Sequence, residues 1–309
     1  MENIKSDITQ LIGNTPLLQM NNIQKRHNLK ARLVAKLEYF NPAGSAKDRA
    51  AAAMIARAEQ DGLLKKGSVI IEPTSGNMGI GLAAVGASKG YSVVLTMPET
   101  MSIERIKLLK AYGAEIVLTD GTKGMQGAVE MANQLLGEIP NSCLMGQFYN
   151  PANPASHRAT TGVEIWNDTD GKVDIFVAGI GTGGTISGVG EYLKSQNKGV
   201  KIVGVEPASS PLLTQGKAAA HKIQGIGANF IPENFNREIC DEIIAVTDEQ
   251  AFDTAKEIAV NEGILVGISS GAAVYAAIQL ALKPENNGKI IVVLLPDTGE
   301  RYLSTFVQV

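Results

Sequence analysis

The chain contains little of what marks several large classes of protein. Two of its 309 residues are cysteine and three are histidine, and Cys143 and Cys240 belong to no CxxC or Cys/His cluster. This composition argues against a disulfide scaffold and predicts no metal site. The net charge is −3 and there is no long basic run, so neither nucleic acid nor an anionic membrane is expected as the main partner.

Long hydrophobic runs are absent as well. The apolar run Ile290–Leu295 has the length of a strand, and no run approaches the roughly 20 residues of a membrane span. The first residues, Met1–Asp7, lack the apolar core of a signal peptide, so we expect a cytoplasmic protein. With 309 residues, of which 44% are hydrophobic, the chain is long enough for a large core and two lobes.

The chain does have a regular alternation of short β-branched runs and helical patterns. Strand runs with apolar residues at both parities belong to sheets that are covered on both faces. We therefore predict an α/β fold with two parallel-rich open sheets flanked by helices, and a change of lobe at Pro151–Pro154. The predicted strands cover residues 68–72, 91–96, 115–119, 174–178, 201–206, 242–246 and 289–295, and the predicted helices cover 49–59, 79–89, 102–112, 124–136, 185–195, 248–262 and 269–282.

A lysine at the start of one helix is the first candidate for chemistry. Lys47 follows the loop signals of Asn41–Ala46 and precedes an Ala-rich helical stretch. A helix N-terminus disfavours a cation, and the small neighbouring residues would let a flat ligand come close. Both effects would lower the pKa of Lys47 and suit it to act as a nucleophile or base. An ordinary surface lysine is the alternative interpretation.

The loops that follow predicted strands carry the other candidates. Glu72–Gly79 offers hydroxyls, an amide and backbone N–H groups, all of which are donors suited to a carboxylate. Gly179–Thr185 combines glycines and threonines at a helix N-terminus, which is typical of a phosphate-binding loop. Gly267–Ala273 precedes another helix, and Pro296–Tyr302 follows the last predicted strand. Capping and turn formation are the alternative explanation for these loops.

Two cofactors are compatible with the glycine-rich loop. Pyridoxal phosphate bound to Lys47 and acting on an amino acid would use a phosphate site, a carboxylate site and an activated amine together. The loop also satisfies G-x-G-x-x-G through Gly179, Gly181 and Gly184, and Glu206 ends the next predicted strand, where a ribose contact is expected. A nicotinamide-dependent enzyme is therefore the rival hypothesis, but it leaves Lys47 and the carboxylate-binding loop unexplained.

With these motifs in place, the chain resembles the cysteine synthase (O-acetylserine sulfhydrylase) family and its sister group cystathionine β-synthase, among the fold-type II pyridoxal phosphate enzymes. The resemblance implies a tryptophan synthase β-like architecture. Residues 41–150 would form a smaller, mobile lobe with the carboxylate loop, and residues 1–40 plus 151–309 a larger cofactor-binding lobe. The motifs that carry the resemblance are Ile12–Leu17, Gly44–Arg49, Glu72–Asn77, Met97–Arg105, Asn150–Pro154, Gly181–Thr185, Lys222–Ala228, Gly267–Gly271 and Pro296–Leu303.

The resemblance also implies a role for each candidate residue. Lys47 would form a Schiff base with pyridoxal phosphate and act as acid and base at the substrate Cα. Asn77 would contact the cofactor 3′-oxygen, and Ser269 would face the pyridine nitrogen, where a neutral partner favours β-elimination and replacement over transamination. The phosphate would be bound by Gly181, Thr182, Gly183, Gly184 and Thr185. The substrate-binding residues would be Thr74, Ser75, Asn77, Met78, Gln147, Gly225 and Asn229.

Two of these positions depart from the family pattern. Met78 stands where the family usually has threonine, which removes one hydroxyl contact to the substrate carboxylate. Asn229 stands where cysteine synthases usually have glycine. Neutral drift, with Met78 as a flexible apolar filler, is one interpretation. Altered substrate choice, with an amide that positions water or a second amino acid, is the other.

The implied reaction is β-replacement, which converts O-acetyl-L-serine and sulfide into L-cysteine and acetate. The alternative is a β-lyase or a cystathionine β-synthase-like enzyme that uses cysteine or serine, releases sulfide or water, and has a thiol or water as acceptor. The resemblance also implies a homodimer. Docking of a serine acetyltransferase tail stays open, because Met78 lies where the carboxylate of that tail would bind.

Overall fold

The protein forms two compact units in a computed structural model that describes residues 4–74, 76–101 and 103–306. Unit 1 comprises Met1–Ile12 and Asn41–Asn153, and unit 2 comprises Gly13–Phe40 and Pro154–Val309. The second crossing between the units, at Asn153, lies within the segment where the sequence indicated a change of lobe. Each unit has its own sheet and its own hydrophobic core.

The helices and strands follow one another in a βα alternation over most of the chain. The strands are β1 (Leu17–Gln19), β2 (Arg32–Leu37), β3 (Val69–Pro73), β4 (Ser92–Pro98), β5 (Glu115–Thr119), β6 (Ser142–Leu144), β7 (Ile175–Gly179), β8 (Lys201–Pro207), β9 (Glu242–Val246) and β10 (Ile290–Leu295). The α-helices are α1 (Asn21–Arg26), α2 (Lys47–Gln60), α3 (Asn77–Lys89), α4 (Ile103–Ala111), α5 (Gly124–Glu138), α6 (Ala152–Ala159), α7 (Thr161–Asp168), α8 (Gly184–Gln196), α9 (Leu212–Gln215), α10 (Asp248–Glu262), α11 (Ile268–Ala281) and α12 (Leu303–Phe306).

Unit 1 is built on a parallel sheet with the strand order β5-β4-β3-β6. Its core packs α2 and α3 against the central strands through residues such as Met54, Ile70 and Leu95, all of which are fully buried. Because the strands are parallel, their carboxyl ends lie at one edge of the sheet. The loop after β3 and the loop after β6 therefore lie side by side at this edge, which is where the candidate carboxylate-binding residues are.

Unit 2 contains a larger sheet with the strand order β1-β2-β10-β7-β8-β9. The short edge strand β1 is antiparallel to β2, and the other neighbours are parallel. The strands β7, β8 and β10 are buried almost throughout, as expected for β-branched runs in a sheet with helices on both faces. The carboxyl ends of β7 and β10 lead into the glycine-rich loop and the final loop of the chain.

Unit 2 also buries a lysine completely. The Nζ of Lys36 donates to the carbonyl oxygen of Thr15 at 2.5 Å and forms ion pairs with Glu164 at 2.8 Å and Asp168 at 3.5 Å. A buried cation is tolerated only when it is paired and hydrogen-bonded, and both conditions hold here. This network ties β2 to α7 and to the segment that precedes β1.

The predicted fold class is confirmed, and the predicted helices and strands lie within a few residues of the observed ones. The sequence analysis missed β1, β2 and β6, which are short or contain charged residues. It also treated Pro151–Pro154 as a loop, whereas α6 begins at Ala152. Proline is compatible with the first turn of a helix, because the N–H groups there have no acceptor within the helix.

The observed division differs from the predicted lobes at the N-terminus. The sequence analysis assigned residues 1–40 to the larger lobe, but the stretch up to Ile12 belongs to unit 1. The physical reason is that Ile8 and Ile12 pack against the core of unit 1. The mobility of the smaller lobe stays a prediction.

Candidate active site

The candidate lysine is the first residue of α2. The buried carboxylate of Asp48 accepts hydrogen bonds from the N–H of Ala43 at 2.6 Å and from the hydroxyl of Ser45 at 3.3 Å. The Ser45 hydroxyl accepts in turn from the N–H of Lys47 at 3.2 Å. A Cβ added to Gly81 would lie 3.2 Å from the carbonyl oxygen of Lys47, so α3 packs closely on the start of α2. The backbone of the lysine is thus fixed on two sides.

Residues 74–77, which we call the carboxylate loop, connect β3 to α3. Thr74 is buried, and its hydroxyl accepts from the N–H of Gly76 at 3.3 Å. Asn77 is the first residue of α3. Ser75 lies outside the described residues. The N-terminus of a helix presents N–H donors and the positive end of the helix dipole, so this loop suits an anion such as a carboxylate.

Gln147 lies in the neighbouring turn after β6, and a buried glutamate holds it there. Glu72, which is 1% exposed, accepts from the N–H of Gly146 at 2.8 Å and from the N–H of Gln147 at 3.2 Å. The side-chain amide of Gln147 also bonds to this carboxylate. Burial raises the pKa of Glu72 to about 7, although these hydrogen bonds act in the opposite direction. Thr74 and Gln147 are therefore brought to one edge of the sheet of unit 1.

The glycine-rich loop Gly181–Thr185, which we call the phosphate cup, connects β7 to α8. Gly183 has a φ of +82°, and a Cβ on it would lie 2.6 Å from the Cα of Phe235. A Cβ on Gly181 would lie 2.4 Å from the carbonyl oxygen of Gly225. Only glycine fits at either position, because the backbone approaches too closely for any side chain.

The donors of the phosphate cup are hydroxyls and the N-terminus of α8. The N–H of Gly184 donates to the Thr182 hydroxyl at 3.5 Å, and the Thr185 hydroxyl lies 3.2 Å from Nε2 of His157. The loop contains no carboxylate. Such a set of donors fits a phosphate dianion, which binds at helix N-termini through N–H and O–H groups.

Ser269 lies in the first turn of α11 and belongs to the same part of unit 2 as the phosphate cup. A Cβ on Gly225 would lie 3.4 Å from the Ser269 hydroxyl oxygen, and Gly225 in turn contacts Gly181. Ser269 is buried at 3% exposure. Unit 2 therefore brings Ser269, Gly225 and the phosphate cup together, as the sequence analysis expected for residues around one cofactor.

The two departures from the family pattern have local structural explanations. Met78 is 1% exposed and packs in the core of unit 1. Asn229 is exposed with a φ of +62°, a conformation that asparagine and glycine tolerate best. Its side-chain oxygen accepts from the Ser210 hydroxyl at 2.8 Å, and the Ser210 oxygen accepts from the N–H of Ala219 at 3.0 Å. These contacts favour the interpretation of Met78 as a filler and of Asn229 as a loop residue.

Sequence reasoning missed two residues that support the site. Glu72 was seen only as part of a motif, and His157 was interpreted as structural or exposed. His157 is buried and bridges the hydroxyls of Thr161, at 2.9 Å from Nδ1, and Thr185. No spacing pattern in the sequence indicates either contact, because the partners of Glu72 and of His157 are distant along the chain.

Two α/β units, one with a lysine at a helix start beside an anion-binding loop and the other with a phosphate cup, define a phosphate-cofactor enzyme of the α/β class. The chain belongs to the family described as pyridoxal-phosphate dependent enzyme, whose model matches residues 8–297. The resemblance found in the sequence is confirmed, and the protein is an enzyme that depends on pyridoxal phosphate.

Individual relatives agree with this assignment over the whole chain. A curated cysteine synthase of Staphylococcus aureus strain Mu50 is 53% identical over 97% of this chain and 96% of its own length. The crystal structure of cysteine synthase from Entamoeba histolytica is 47% identical, covers 98% of this chain and 90% of its own, and has a TM-score of 0.95. The crystal structure of a hydrogen sulfide-producing enzyme from Fusobacterium nucleatum is 44% identical, with coverages of 98% and 99% and a TM-score of 0.94.

The family decides between the two cofactors that the sequence left open. Glu206, the ribose contact of the nicotinamide hypothesis, is buried and accepts hydrogen bonds from the N–H groups of Leu213 at 2.8 Å and Thr214 at 3.2 Å. Its carboxylate therefore anchors a loop of its own unit. In the described part of the chain, no group of three or more His, Cys, Asp or Glu side chains could hold a metal ion. No described helix is both long and apolar enough to cross a bilayer.

Proposed function

We propose that the protein makes L-cysteine and acetate from O-acetyl-L-serine and sulfide by β-replacement. The observation that carries this proposal is the 53% identity over 97% of the chain to a curated cysteine synthase. The site is consistent with it, since unit 1 offers donors for an amino-acid carboxylate and unit 2 offers donors for the cofactor phosphate.

The residues of this chain divide the work of that reaction. Lys47 holds the cofactor through its amine and, once released, carries the proton to and from the substrate Cα. Thr74, Ser75, Asn77 and Gln147 bind the substrate carboxylate and so orient the Cα proton towards the lysine. When bound, the pyridoxal ring delocalises the negative charge that develops at Cα. The phosphate cup and Ser269 fix the position of that ring.

Replacing the lysine tests this function. Lys47→Ala should lower cysteine formation from O-acetylserine and sulfide by at least about 10²–10⁴-fold, because it removes the group that moves the proton. Lys65→Ala is the matched control, since Lys65 is an exposed lysine of the same unit and should leave turnover unchanged. Turnover of the Lys47→Ala enzyme at the wild-type rate would contradict the assignment.

A second candidate function is sulfide release from L-cysteine. It is favoured by the 44% identity to the hydrogen sulfide-producing enzyme, over 98% of this chain and 99% of that one. The purified enzyme would be compared with O-acetylserine plus sulfide and with cysteine alone. If cysteine alone yields negligible sulfide, this candidate is eliminated.

We also infer that the enzyme is a cytoplasmic homodimer, which rests on the resemblance and on the composition of the N-terminus. Light scattering after size exclusion should give twice the 32.6 kDa mass of the chain. Docking of a serine acetyltransferase is tested with a peptide that carries the C-terminal residues of such an enzyme. Inhibition that competes with O-acetylserine would support docking, and its absence would argue against it.

A further inference from the structure

The strongest candidate outside the assigned residues is the buried carboxylate that precedes the carboxylate loop. Glu72 lies near the end of β3, only two residues before Thr74, and is 1% exposed. A buried carboxylate is costly unless its oxygens are hydrogen-bonded. Here the interactions that stabilise the ionised form come from N–H donors of the Gly146–Gln147 turn. The carboxylate is therefore devoted to this turn.

The turn is held from both sides by side chains of unit 1. Glu72 takes its two consecutive N–H groups, at 2.8 and 3.2 Å. The carbonyl oxygens on either side are bound by side-chain amides, that of Met145 by Asn150 at 2.8 Å and that of Gln147 by Asn153 at 2.9 Å. A turn whose N–H and C=O groups are both fixed has one orientation, and so has the side chain that it carries.

We propose that Glu72 is a positioning residue that orients Gln147 for binding of the substrate carboxylate. The inference rests on the proposed function, because the role of Gln147 comes from it. Glu72 bonds to the Gln147 side-chain amide as well as to its backbone N–H. An amide nitrogen has two hydrogens, so one can be held by Glu72 while the other is directed at a ligand. In this way a group that never touches the substrate sets the direction of one that does.

The arrangement requires a carboxylate rather than an amide at position 72. Three N–H donors need both oxygens of the side chain as acceptors. A glutamine of the same shape offers one oxygen and places an NH₂ group against a backbone N–H. Glu72→Gln should therefore release the Gln147 side chain and leave the fold of the strand in place.

The test is steady-state kinetics of the holoenzyme with O-acetylserine and sulfide. Glu72→Gln should raise the KM for O-acetylserine by roughly 10- to 100-fold, the range expected for lost hydrogen bonds to a charged group. The kcat should change less than about threefold, because binding of the carboxylate contributes alike to the ground and transition states. Cofactor content should be unchanged, since the phosphate cup belongs to unit 2.

Glu206→Gln is the matched control. Glu206 is also a buried carboxylate near the end of a strand, and it also accepts from two consecutive backbone N–H groups, at 2.8 and 3.2 Å. A general cost of removing such a carboxylate would affect both variants alike. The inference predicts that the KM for O-acetylserine rises in Glu72→Gln and not in Glu206→Gln.

A double-mutant cycle with Gln147→Ala shows whether Glu72 acts through Gln147. In the Gln147→Ala background, Glu72→Gln should add less than about twofold to the KM. Full additivity, or an unchanged KM in Glu72→Gln, would overturn the inference. If Glu72→Gln does not fold, Glu72→Asp takes its place in the cycle, because the shorter side chain keeps the charge and loses the reach.

The outcome for the wild-type enzyme separates this inference from the proposed function. Absence of cysteine formation by the wild type contradicts the function, and the variants are then compared through the dissociation constant of L-cysteine, measured from the cofactor absorbance. An active wild type with an unchanged KM in Glu72→Gln contradicts the role of Glu72 alone.

Discussion

The phosphate cup in unit 2 and the carboxylate-binding region in unit 1 are held in shape by different means. The cup depends on backbone contacts, since a side chain at Gly181 or Gly183 would collide with main-chain atoms of Gly225 or Phe235. The carboxylate-binding region depends on a buried side chain, Glu72, that accepts hydrogen bonds from a turn. One region is fixed by steric exclusion and the other by a titratable hydrogen-bonding group.

This difference predicts different sensitivities. Steric exclusion does not change with pH, but it fails on the addition of a single methyl group. A hydrogen-bonded carboxylate tolerates some change of shape, but its acceptor capacity changes when it takes up a proton. The phosphate cup should thus respond to the size of residues, and the carboxylate-binding region to charge and pH.

The largest expected effect is that of a methyl group in the phosphate cup. Gly183→Ala places a Cβ 2.6 Å from a backbone atom at a φ of +82° and should cost about 3 kcal/mol or more, with loss of bound cofactor. Gly76→Ala in the carboxylate loop is the control, because its Cβ would meet nothing within 4 Å. Urea unfolding and cofactor absorbance measure both variants. Equal losses would contradict the contrast between the two regions.

The second effect is the pH dependence of stability in unit 1. The pKa of Glu72 is about 7 in the folded protein and 4.5 in its absence, so between these values the folded state binds more protons than the unfolded one. Stability should therefore fall as pH rises from 4.5 to 7, by about 3 kcal/mol in total, and stay level above 7.

Glu72→Gln isolates this contribution from those of other titrating groups. The difference in unfolding free energy between the variant and the wild type, measured in urea from pH 5 to pH 8, should shift in favour of the variant as pH rises. A difference that stays constant over this range would show that Glu72 does not titrate there.

The third effect concerns the departure at Met78. Met78→Thr restores the residue that the family usually has, but it replaces a buried apolar side chain in the core of unit 1. The lost packing and the buried hydroxyl should lower stability by about 2 kcal/mol. Met78→Leu preserves volume and should cost less than about 1.5 kcal/mol. A Met78→Thr enzyme that is as stable as the wild type and binds O-acetylserine more tightly would show instead that the hydroxyl reaches the substrate.

The sequence predicted much of the fold because its information is local. Parallel strands that are buried on both faces give β-branched runs such as Ile290–Leu295, and the phosphate cup is a continuous run of glycine and threonine. The lysine at the start of α2 could be found in the same way. The element bounds then follow from loop signals that lie next to each run.

Contacts between distant segments could not be predicted. Glu72 and its partner Gln147 lie 75 residues apart, and Lys36 finds Glu164 in a helix of the same unit. A glutamate in a strand or a lysine in a strand gives no signal of its partner, and both residues are normally exposed. The same limit explains why Asn229 was interpreted from its chemistry alone, without its φ or its bond to Ser210.

The smallest expected effect is that of replacing Asn229, which separates backbone conformation from chemistry. Asn229→Gly keeps access to the φ of +62° and loses one hydrogen bond to Ser210, so it should change stability by less than about 1 kcal/mol. Asn229→Ala loses the same bond and adds a left-handed strain of about 1 kcal/mol. Urea unfolding measures this difference, and the ratio of sulfide release from cysteine to cysteine synthesis measures the choice of substrate. A ratio that stays at the wild-type value in both variants, while stability follows the φ preference, identifies Asn229 as a loop residue. A ratio that changes equally in both would show that its amide selects the amino acid.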